Sequence, residues 1–432
     1  MPKSFSTVSV VGLGYIGLPT AAVMAQRQIK VIGVDINADI VNAINRGQVH
    51  IVEPELDGVV HQVVSEGLFV ATTVPTPADA FLITVPTPFN EDYEADLSYI
   101  QSACKAIATV LKAGDLVVLE STSPVGTTLQ VSVWLQELRK DLLFPHTDGE
   151  ASDIRIAYCP ERVMPGHILH ELVKNDRIIG GMTPLCSKKA VELYTLFVDG
   201  ECLITNDKTA EICKLTENSF RDVNIAFANE LSMICDKLDI NVWELIHLAN
   251  RHPRVNILKP GPGVGGHCIA VDPWFIVSKT PKEAQLIRKA REVNDSKPRW
   301  VIEKIKSVIA EVLIEHPEKR IHDVTITFFG LAFKADIDDF RESPALKIAA
   351  EMVSIHPGCV SIVEPYLTTL PAMFEGKAML KQAEEALLES DIAVILVDHR
   401  AFHHVFNDTQ LPCKIVDTRG ISCLGSFVRV EN

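Results

Sequence analysis

Val8-Ser9-Val10-Val11-Gly12-Leu13-Gly14-Tyr15-Ile16-Gly17 decides the fold. An apolar run that reads as a buried strand breaks at a glycine turn and enters a helical stretch over 17–27. In that context each glycine has a task. Gly12 permits the tight turn, Gly14 lets the backbone approach a pyrophosphate, and Gly17 allows the helix to pack closely on the strand. The helix N-terminus then faces the phosphates. The next strand, 30–34, ends at Asp35, near the distance of about 20 residues at which an acid meets a dinucleotide ribose. A carboxylate there accepts from both ribose hydroxyls and repels a 2′-phosphate, which favours NAD over NADP. The glycine motif by itself also admits FAD.

Working outward, apolar runs at 80–85, 116–120, 154–159 and 177–180 alternate with helical stretches such as 99–111. That alternation predicts a parallel, doubly wound sheet. A long helical stretch follows over 208–238, carrying Phe220, Ile225, Phe227, Leu231 and Ile234; it suits a connector between lobes or a dimer face. The alternation then restarts, with strands at 324–329, 361–363, 392–397 and 414–417 and helices at 345–354 and 383–390. The expected fold is α/β: two doubly wound Rossmann-like parallel-sheet domains joined by a long central helix, divided as 1–204, 205–300 and 301–432. Ligands are expected in the cleft such an arrangement leaves.

The composition narrows the function. A formal charge of −15 over 432 residues argues against broad binding to nucleic acid or an anionic membrane. No run of about 18 apolar residues is present to span a bilayer. The chain enters its first strand almost at once, without the pattern of a secretory signal, so a cytoplasmic location is expected. The 10 cysteines form no CxxC pair, which suits reduced thiols and argues against a metal site.

One cysteine stands apart. Gly261-Pro262-Gly263-Val264-Gly265-Gly266-His267-Cys268, followed by Ala270-Val271-Asp272-Pro273, surrounds a thiol with backbone that can approach a ligand closely. Nearby N–H groups favour a thiolate, so Cys268 is the candidate nucleophile. His267 is taken as structural, since adjacent side chains usually point apart. Lys214, Asn218 and Arg221 share one face of the long helix, either as a solvated stripe or as a cleft lining. Glu161 lies just past a strand end, where a functional carboxylate and an exposed ion pair are both plausible. Thr87, Thr122 and Thr128 follow later strand ends, as cofactor contacts or as helix caps. His252 and Arg254, with Lys334, Arg341 and Arg419, add cations for a phosphate or a sugar.

In order, GxGxxG, ESTSPVGTT, CPERV, KLTEN, GPGVGGHC and FGLAFKADIDDFRESP resemble the UDP-glucose/UDP-mannuronate dehydrogenase family along essentially the whole chain. The segments 159–166 and 175–181 look most like the branch that oxidises UDP-N-acetyl-D-mannosamine; Arg162-Val163 replaces the Phe-Leu of UDP-glucose enzymes. The resemblance implies an NAD-binding domain over 1–204, a central dimerisation and active-site region over 205–300 and a UDP-sugar-binding domain over 301–432. It implies a four-electron oxidation of the sugar C6 alcohol to a carboxylate with two NAD, through a thiohemiacetal and a thioester on Cys268.

By matched position, Lys214 and Asn218 stabilise the oxyanion and contact substrate, Asp272 orients groups around Cys268, and Glu161 and Thr122 manage the hydrolytic water. Arg162, Val163, Arg221, His252, Arg254, Gly265, Phe333, Lys334 and Arg419 fall around the UDP-sugar, with His252 and Arg254 implied to come from a partner copy of a homodimer with shared active sites. Gly12, Gly14, Tyr15, Ile16, Gly17, Asp35, Thr87, Thr128 and Arg341 fall on the NAD side. The expected product is UDP-N-acetyl-D-mannosaminuronate, for surface polysaccharide synthesis. UDP-N-acetylglucosamine or UDP-glucose as substrate is the alternative. A two-electron hydroxyacid dehydrogenase needs no thiol, and a silent nucleotide-sugar binder needs no catalytic set.

Overall fold

The computed structural model describes residues 5–90, 93–164, 166–266, 268–406 and 411–422. His267 and Pro165 lie outside the described residues. The chain divides into two units, one of residues 1–217 with 274–281 and the other of 218–273 with 282–432.

Among the described residues the first unit has eight strands: β1 (Thr7–Val11), β2 (Lys30–Val34), β3 (Phe69–Thr72), β4 (Ala80–Ile83), β5 (Leu116–Leu119), β6 (Arg155–Tyr158), β7 (Arg177–Gly181) and β8 (Cys202–Asn206). Their order is β3-β2-β1-β4-β5-β6-β7-β8. The central strands are buried on both faces, as the unbroken apolar runs of β4 and β5 require. One apolar cluster gathers Val8, Val10, Leu18, Val31 and Leu82, and the other Phe81, Ile83, Val117, Ile107 and Ile156. The expectation of an all-parallel sheet is corrected at one joint, because β7 runs antiparallel to β6. Two residue pairs register there, Ala157 with Gly181 and Tyr158 with Gly180, and the parallel order resumes between β7 and β8.

The second unit holds β9 (Ile326–Phe329), β10 (Val360–Val363), β11 (Met379–Leu380), β12 (Ile392–Ile395) and β13 (Lys414–Asp417), all parallel. Their order, β11-β10-β9-β12-β13, repeats that of the first five strands of the other sheet. Phe328, Ile348, Ile362 and Val394 centre its core.

The long central helix spans Asp207–Lys237, and the boundary between units falls inside it. A second helix of similar length, Gln285–Glu315, carries Pro298 in its interior. Among the described residues no helix is long and apolar enough to cross a membrane.

Candidate active site

In the first unit the turn after β1 has the geometry of a pyrophosphate cradle. Gly12 has φ +96°, the left-handed region that favours glycine. A Cβ on Gly17 would fall 1.8 Å from the Gly12 carbonyl oxygen, so only hydrogen fits. A Cβ on Gly14 would meet nothing within 4 Å among the described residues, which leaves the side from which a phosphate approaches open. Thr84 Oγ1 donates to the Gly12 carbonyl at 2.7 Å and ties the turn to the end of β4. The helix Gly17–Gln26 begins at Ile16 with no side-chain cap among the described residues, so its first N–H groups are positioned for an anion. Tyr15 is exposed and Ile16 half-buried beside it.

Asp35 follows β2 as expected. Its Oδ2 accepts from Leu13 N at 3.0 Å and its Oδ1 from Asn37 N at 2.9 Å, which fixes a half-exposed carboxylate at the turn. These features fit an NAD molecule: the turn for the pyrophosphate, Asp35 for the adenosine ribose. When bound, NAD supplies the hydride acceptor. Thr87 donates its hydroxyl to the Thr122 carbonyl, joining the loops that leave β4 and β5. Thr128 is fully buried, and its hydroxyl donates to Glu211 Oε1 at 2.6 Å. Glu211 also accepts from Gly126 N and Thr128 N, both at 2.7 Å, and so caps the helix Thr127–Leu138. Glu211 raises no signal in the sequence, because its partners lie 83 and 85 residues away.

Glu161 is buried rather than displayed. Its Oε2 takes the Arg177 guanidinium at 2.9 Å and its Oε1 accepts from Arg162 N at 2.5 Å. The exposed ion pair that its position also allowed is therefore corrected to a buried one, with Arg177 at 2% exposure. Arg162 pairs with Glu217 at 2.8 Å, and Val163 packs against the neighbouring core. Lys214 is half-buried on the central helix.

In the second unit Cys268 is exposed, and its carbonyl accepts from Val271 N at 3.0 Å and Asp272 N at 2.9 Å. Asp272 is buried and accepts from Asn218 Nδ2 at 2.5 Å, so the helix carrying Asn218 holds a carboxylate four residues from the thiol. The glycines before Cys268 let the loop press against its neighbours. A Cβ on Gly265 would lie 2.7 Å from the Glu342 carbonyl and 2.8 Å from Phe333 Cβ, and Gly266 N donates to the Arg341 carbonyl at 3.3 Å. At the loop's other end, Gly261 N donates to Asn229 Oδ1 at 2.8 Å. Asn229 is anchored by Asn294 at 2.8 Å, and Asn294 in turn by Asp222 Oδ1, which Arg291 pairs at 2.6 Å. Sequence reading missed this buried chain, although Asn229 shares the central helix with Asn218.

Arg419 packs its guanidinium on Gly261, where a Cβ would lie 2.5 Å from Nη1. Asp417 positions it by accepting from Arg419 N at 2.8 Å and Gly420 N at 2.7 Å. Burial lowers the proton affinity of Arg419, while Asp398 and Asp417 work the other way. Phe333 is half-buried and Lys334 exposed on the same loop. Arg341, expected on the NAD side, is paired with Asp339 at 2.6 Å in this unit. Arg221, His252 and Arg254 are exposed; His252 Nδ1 accepts from Arg254 N at 3.3 Å.

Three sequence profiles match the chain in order. Residues 6–198 match the UDP-glucose/GDP-mannose dehydrogenase family, NAD binding domain; 208–296 match its central domain; 327–422 match its UDP binding domain. The chain is 61% identical over 417 residues to the NDP-N-acetyl-D-galactosaminuronic acid dehydrogenase of Ralstonia solanacearum, covering 96% of each. It is 59% identical over 418 residues to the UDP-N-acetyl-D-mannosamine dehydrogenase of Escherichia coli K12, covering 97% of this chain and 99% of that one. The solved UDP-D-ManNAc dehydrogenase of Pyrococcus horikoshii superposes with a TM-score of 0.84 at 38% identity, covering 96% of each chain.

Proposed function

The chain belongs to the UDP-glucose/GDP-mannose dehydrogenase family, and on that footing we propose that it oxidises C6 of UDP-N-acetyl-D-mannosamine to a carboxylate with two NAD. The single observation that carries the reading is an exposed Cys268 four residues before an Asp272 held by Asn218, in a chain 59% identical to the E. coli enzyme of that name. Arg162-Val163 in place of Phe-Leu supports an N-acetylated sugar over UDP-glucose. The similarity to the Ralstonia relative supports a second reading, in which the sugar is an N-acetylgalactosamine.

The chain's residues divide the work. Asp35 and the glycine turn hold NAD. Lys214 and Asn218 donate to the oxygen at C6 as charge develops there. Cys268 attacks the aldehyde to give a thiohemiacetal, whose oxidation leaves a thioester; the covalent link retains the aldehyde between the two steps. Asn218 fixes the Asp272 carboxylate near the thiol, and Glu161 with Thr122 manages the water that hydrolyses the thioester. Arg162, Phe333, Lys334 and Arg419 bind the sugar nucleotide. The three-part division at 1–204, 205–300 and 301–432 is our functional partition, supported by the limits of the three matched profiles. A cytoplasmic location suits a substrate and a cofactor made there, with the product serving surface polysaccharide synthesis.

We assign a homodimer. Phe220, Phe227 and Ile234 recur every seven residues on the central helix and are exposed, as are Leu238 and Leu248. That apolar stripe supports docking of a second copy, each lending His252 and Arg254 to the other's site.

The test is NADH formed per mole of limiting sugar nucleotide across UDP-N-acetylmannosamine, UDP-N-acetylgalactosamine, UDP-N-acetylglucosamine and UDP-glucose, with products identified by mass. Two NADH and a C6 acid are expected from UDP-N-acetylmannosamine at the highest kcat/KM. One NADH per sugar removes the thioester mechanism, and a preference for the galacto sugar moves the assignment to the second reading.

A further inference from the structure

Five titratable side chains lie together beside the first sheet, and only Glu161 has a task in the reaction described above. Glu120 is the first residue after β5, Cys159 and Glu161 follow β6, Arg177 opens β7, and Tyr194 ends the helix Pro184–Tyr194. The group is buried throughout. Tyr194 donates its hydroxyl to Glu120 Oε1, and Glu120 Oε2 has no hydrogen-bond partner among the described residues. The Arg177 guanidinium lies 5.9 Å from the centre of the Tyr194 ring and makes its direct ion pair with Glu161.

Two buried carboxylates thus face one guanidinium. Burying a second unpaired anion in such a site is costly, so one of the two stays protonated. Glu161 has the charged contacts, Arg177 Nη1 at 2.9 Å and Arg162 N at 2.5 Å; Glu120 has a single neutral donor. The proton therefore resides on Glu120. Burial, reinforced by the charge of Glu161 and opposed by Arg177 and Tyr194, pushes the Glu120 carboxyl up to about 7. The remaining groups that face it do not compete for this range: burial raises the Tyr194 hydroxyl and the Cys159 thiol well above their ordinary values. Burial works against the charge on Arg177, but Glu161, Cys159 and Glu120 outweigh it and keep the guanidinium cationic.

We propose that Glu120 is a positioning residue for Glu161: neutral, it leaves Arg177 committed to Glu161, and ionised, it draws on Arg177 and readies Glu161 to take a proton. The inference rests on the reading of Glu161 as the residue that manages hydrolytic water. In that step the oxygen of water bonds to the thioester carbon and the proton it loses goes to Glu161. The C–S bond breaks with its electron pair on sulfur, leaving the Cys268 thiolate and the product acid. Arg177 is the element both carboxylates share. Committed to Glu161 alone, its attraction falls on that carboxylate undivided. Shared with an ionised Glu120, it is divided between the two.

The experiment isolates hydrolysis from the oxidations. Enzyme is loaded with UDP-sugar and NAD in a single turnover, and decay of the acyl-Cys268 adduct is followed by quenched-flow intact mass between pH 6 and pH 8. The wild-type decay is expected to rise about tenfold across that range. Glu120→Gln, the same shape without the proton, is expected to hydrolyse at the wild-type pH 6 rate and to stay flat. A Glu120→Gln profile that follows the wild type overturns the proposal. Should that variant fail to fold, Tyr194→Phe removes only the hydroxyl that favours ionised Glu120 and is expected to move the rise to higher pH. An unmoved rise overturns the proposal equally. Glu161→Gln separates the two layers. If it accumulates the acyl-enzyme while Glu120→Gln follows the wild type, the role of Glu161 stands and that of Glu120 falls. If Glu161→Gln hydrolyses normally, the reading of Glu161 falls and the proposal with it.

Discussion

The turn after β1 and the turn after β9 begin alike and end differently. Each opens on a glycine in the left-handed region, Gly12 at φ +96° and Gly330 at φ +92°. Each glycine donates its N–H to the last residue of the next strand over, Gly12 to the Val34 carbonyl at 2.8 Å and Gly330 to the Val363 carbonyl at 2.9 Å. Each strand then delivers an acid, Asp35 or Glu364, whose carboxylate accepts from the leucine after the glycine, Leu13 at 3.0 Å and Leu331 at 2.7 Å. From there the two diverge. The first turn enters its helix at Gly17, with no side-chain cap among the described residues. The second runs on to Pro344, and Ser343 caps that helix by accepting from Leu346 N. Asp35 stays half-exposed, whereas Glu364 is buried, 3.4 Å from the imidazole of His399. His399 accepts from Asp336 N at 3.0 Å and so braces the loop that carries Phe333 and Lys334. One framework has yielded a bare backbone turn followed by a half-exposed acid, the pair we propose for NAD. The other has an inward acid whose role is to hold a side-chain-bearing loop.

If that contrast is right, the largest effect belongs to the glycine that makes the first turn short. Gly17→Val places a Cβ 1.8 Å from the Gly12 carbonyl, a clash with backbone that no rotamer relieves. We expect a loss of about 3 kcal/mol or more in unfolding free energy and no measurable NAD binding. Gly14→Ala, pointing into open space, is the control: stability within about 1 kcal/mol of wild type, but weakened NAD. Calorimetric unfolding and NAD titration of both variants check this, and normal NAD affinity in Gly17→Val would remove the cradle reading.

The two acids give the next contrast. Glu364→Ala leaves Leu331 N, Ala332 N and Tyr366 N without their buried acceptor, and an expected cost of about 3 kcal/mol follows, with NAD affinity unchanged. Asp35→Ala is expected to cost about 1 kcal/mol, to weaken NAD roughly tenfold and to relax discrimination against NADP. Equal stability losses in the two variants, or an NAD defect in Glu364→Ala, would erase the distinction between the turns.

Much of this was legible in the sequence because local rules fix it. Gly12, Gly14 and Gly17 carry the turn in their spacing, Asp35 is placed by the length of one βα unit, and apolar runs without alternation mark strands covered on both faces. A second doubly wound sheet was legible too, in the restarted alternation after 324; likeness of sequence between the two halves was not, since packing constrains apolar volume rather than identity. The antiparallel joint at β6–β7 was hidden for the same reason, because a buried strand reads alike in either direction. Site partners were the hardest to foresee. Arg177 sits where the pattern shows a strand starting, and only the fold brings it to Glu161. Asn229 and Glu211 look like ordinary polar positions on a long helix until the loops they hold are in place.

The smallest effect concerns one buried ionisable group in each unit, an acid in the first and a base in the second. Burial holds Glu120 up at about 7 and Lys297 down at about 7. Lys297 donates to Ser232 Oγ at 2.5 Å and lies 3.7 Å from the centre of the Trp300 ring. The two signs are opposite. Between its ordinary value of 4.5 and about 7, native Glu120 binds more protons than the unfolded chain, so the first unit loses stability as pH rises through that window. Between about 7 and 10.5, native Lys297 binds fewer protons than the unfolded chain, so the second unit gains stability as pH rises from neutrality. Relative to wild type, Glu120→Gln is therefore expected to be about 2 kcal/mol more favourable at pH 8 than at pH 5, and Lys297→Met about 1 kcal/mol less favourable at pH 8 than at pH 7. Denaturant unfolding of the three proteins at the three pH values reads both differences. Slopes of the same sign would mean that burial does not shift Glu120 and Lys297 in opposite directions, and the contrast between the units would then be confined to their turns.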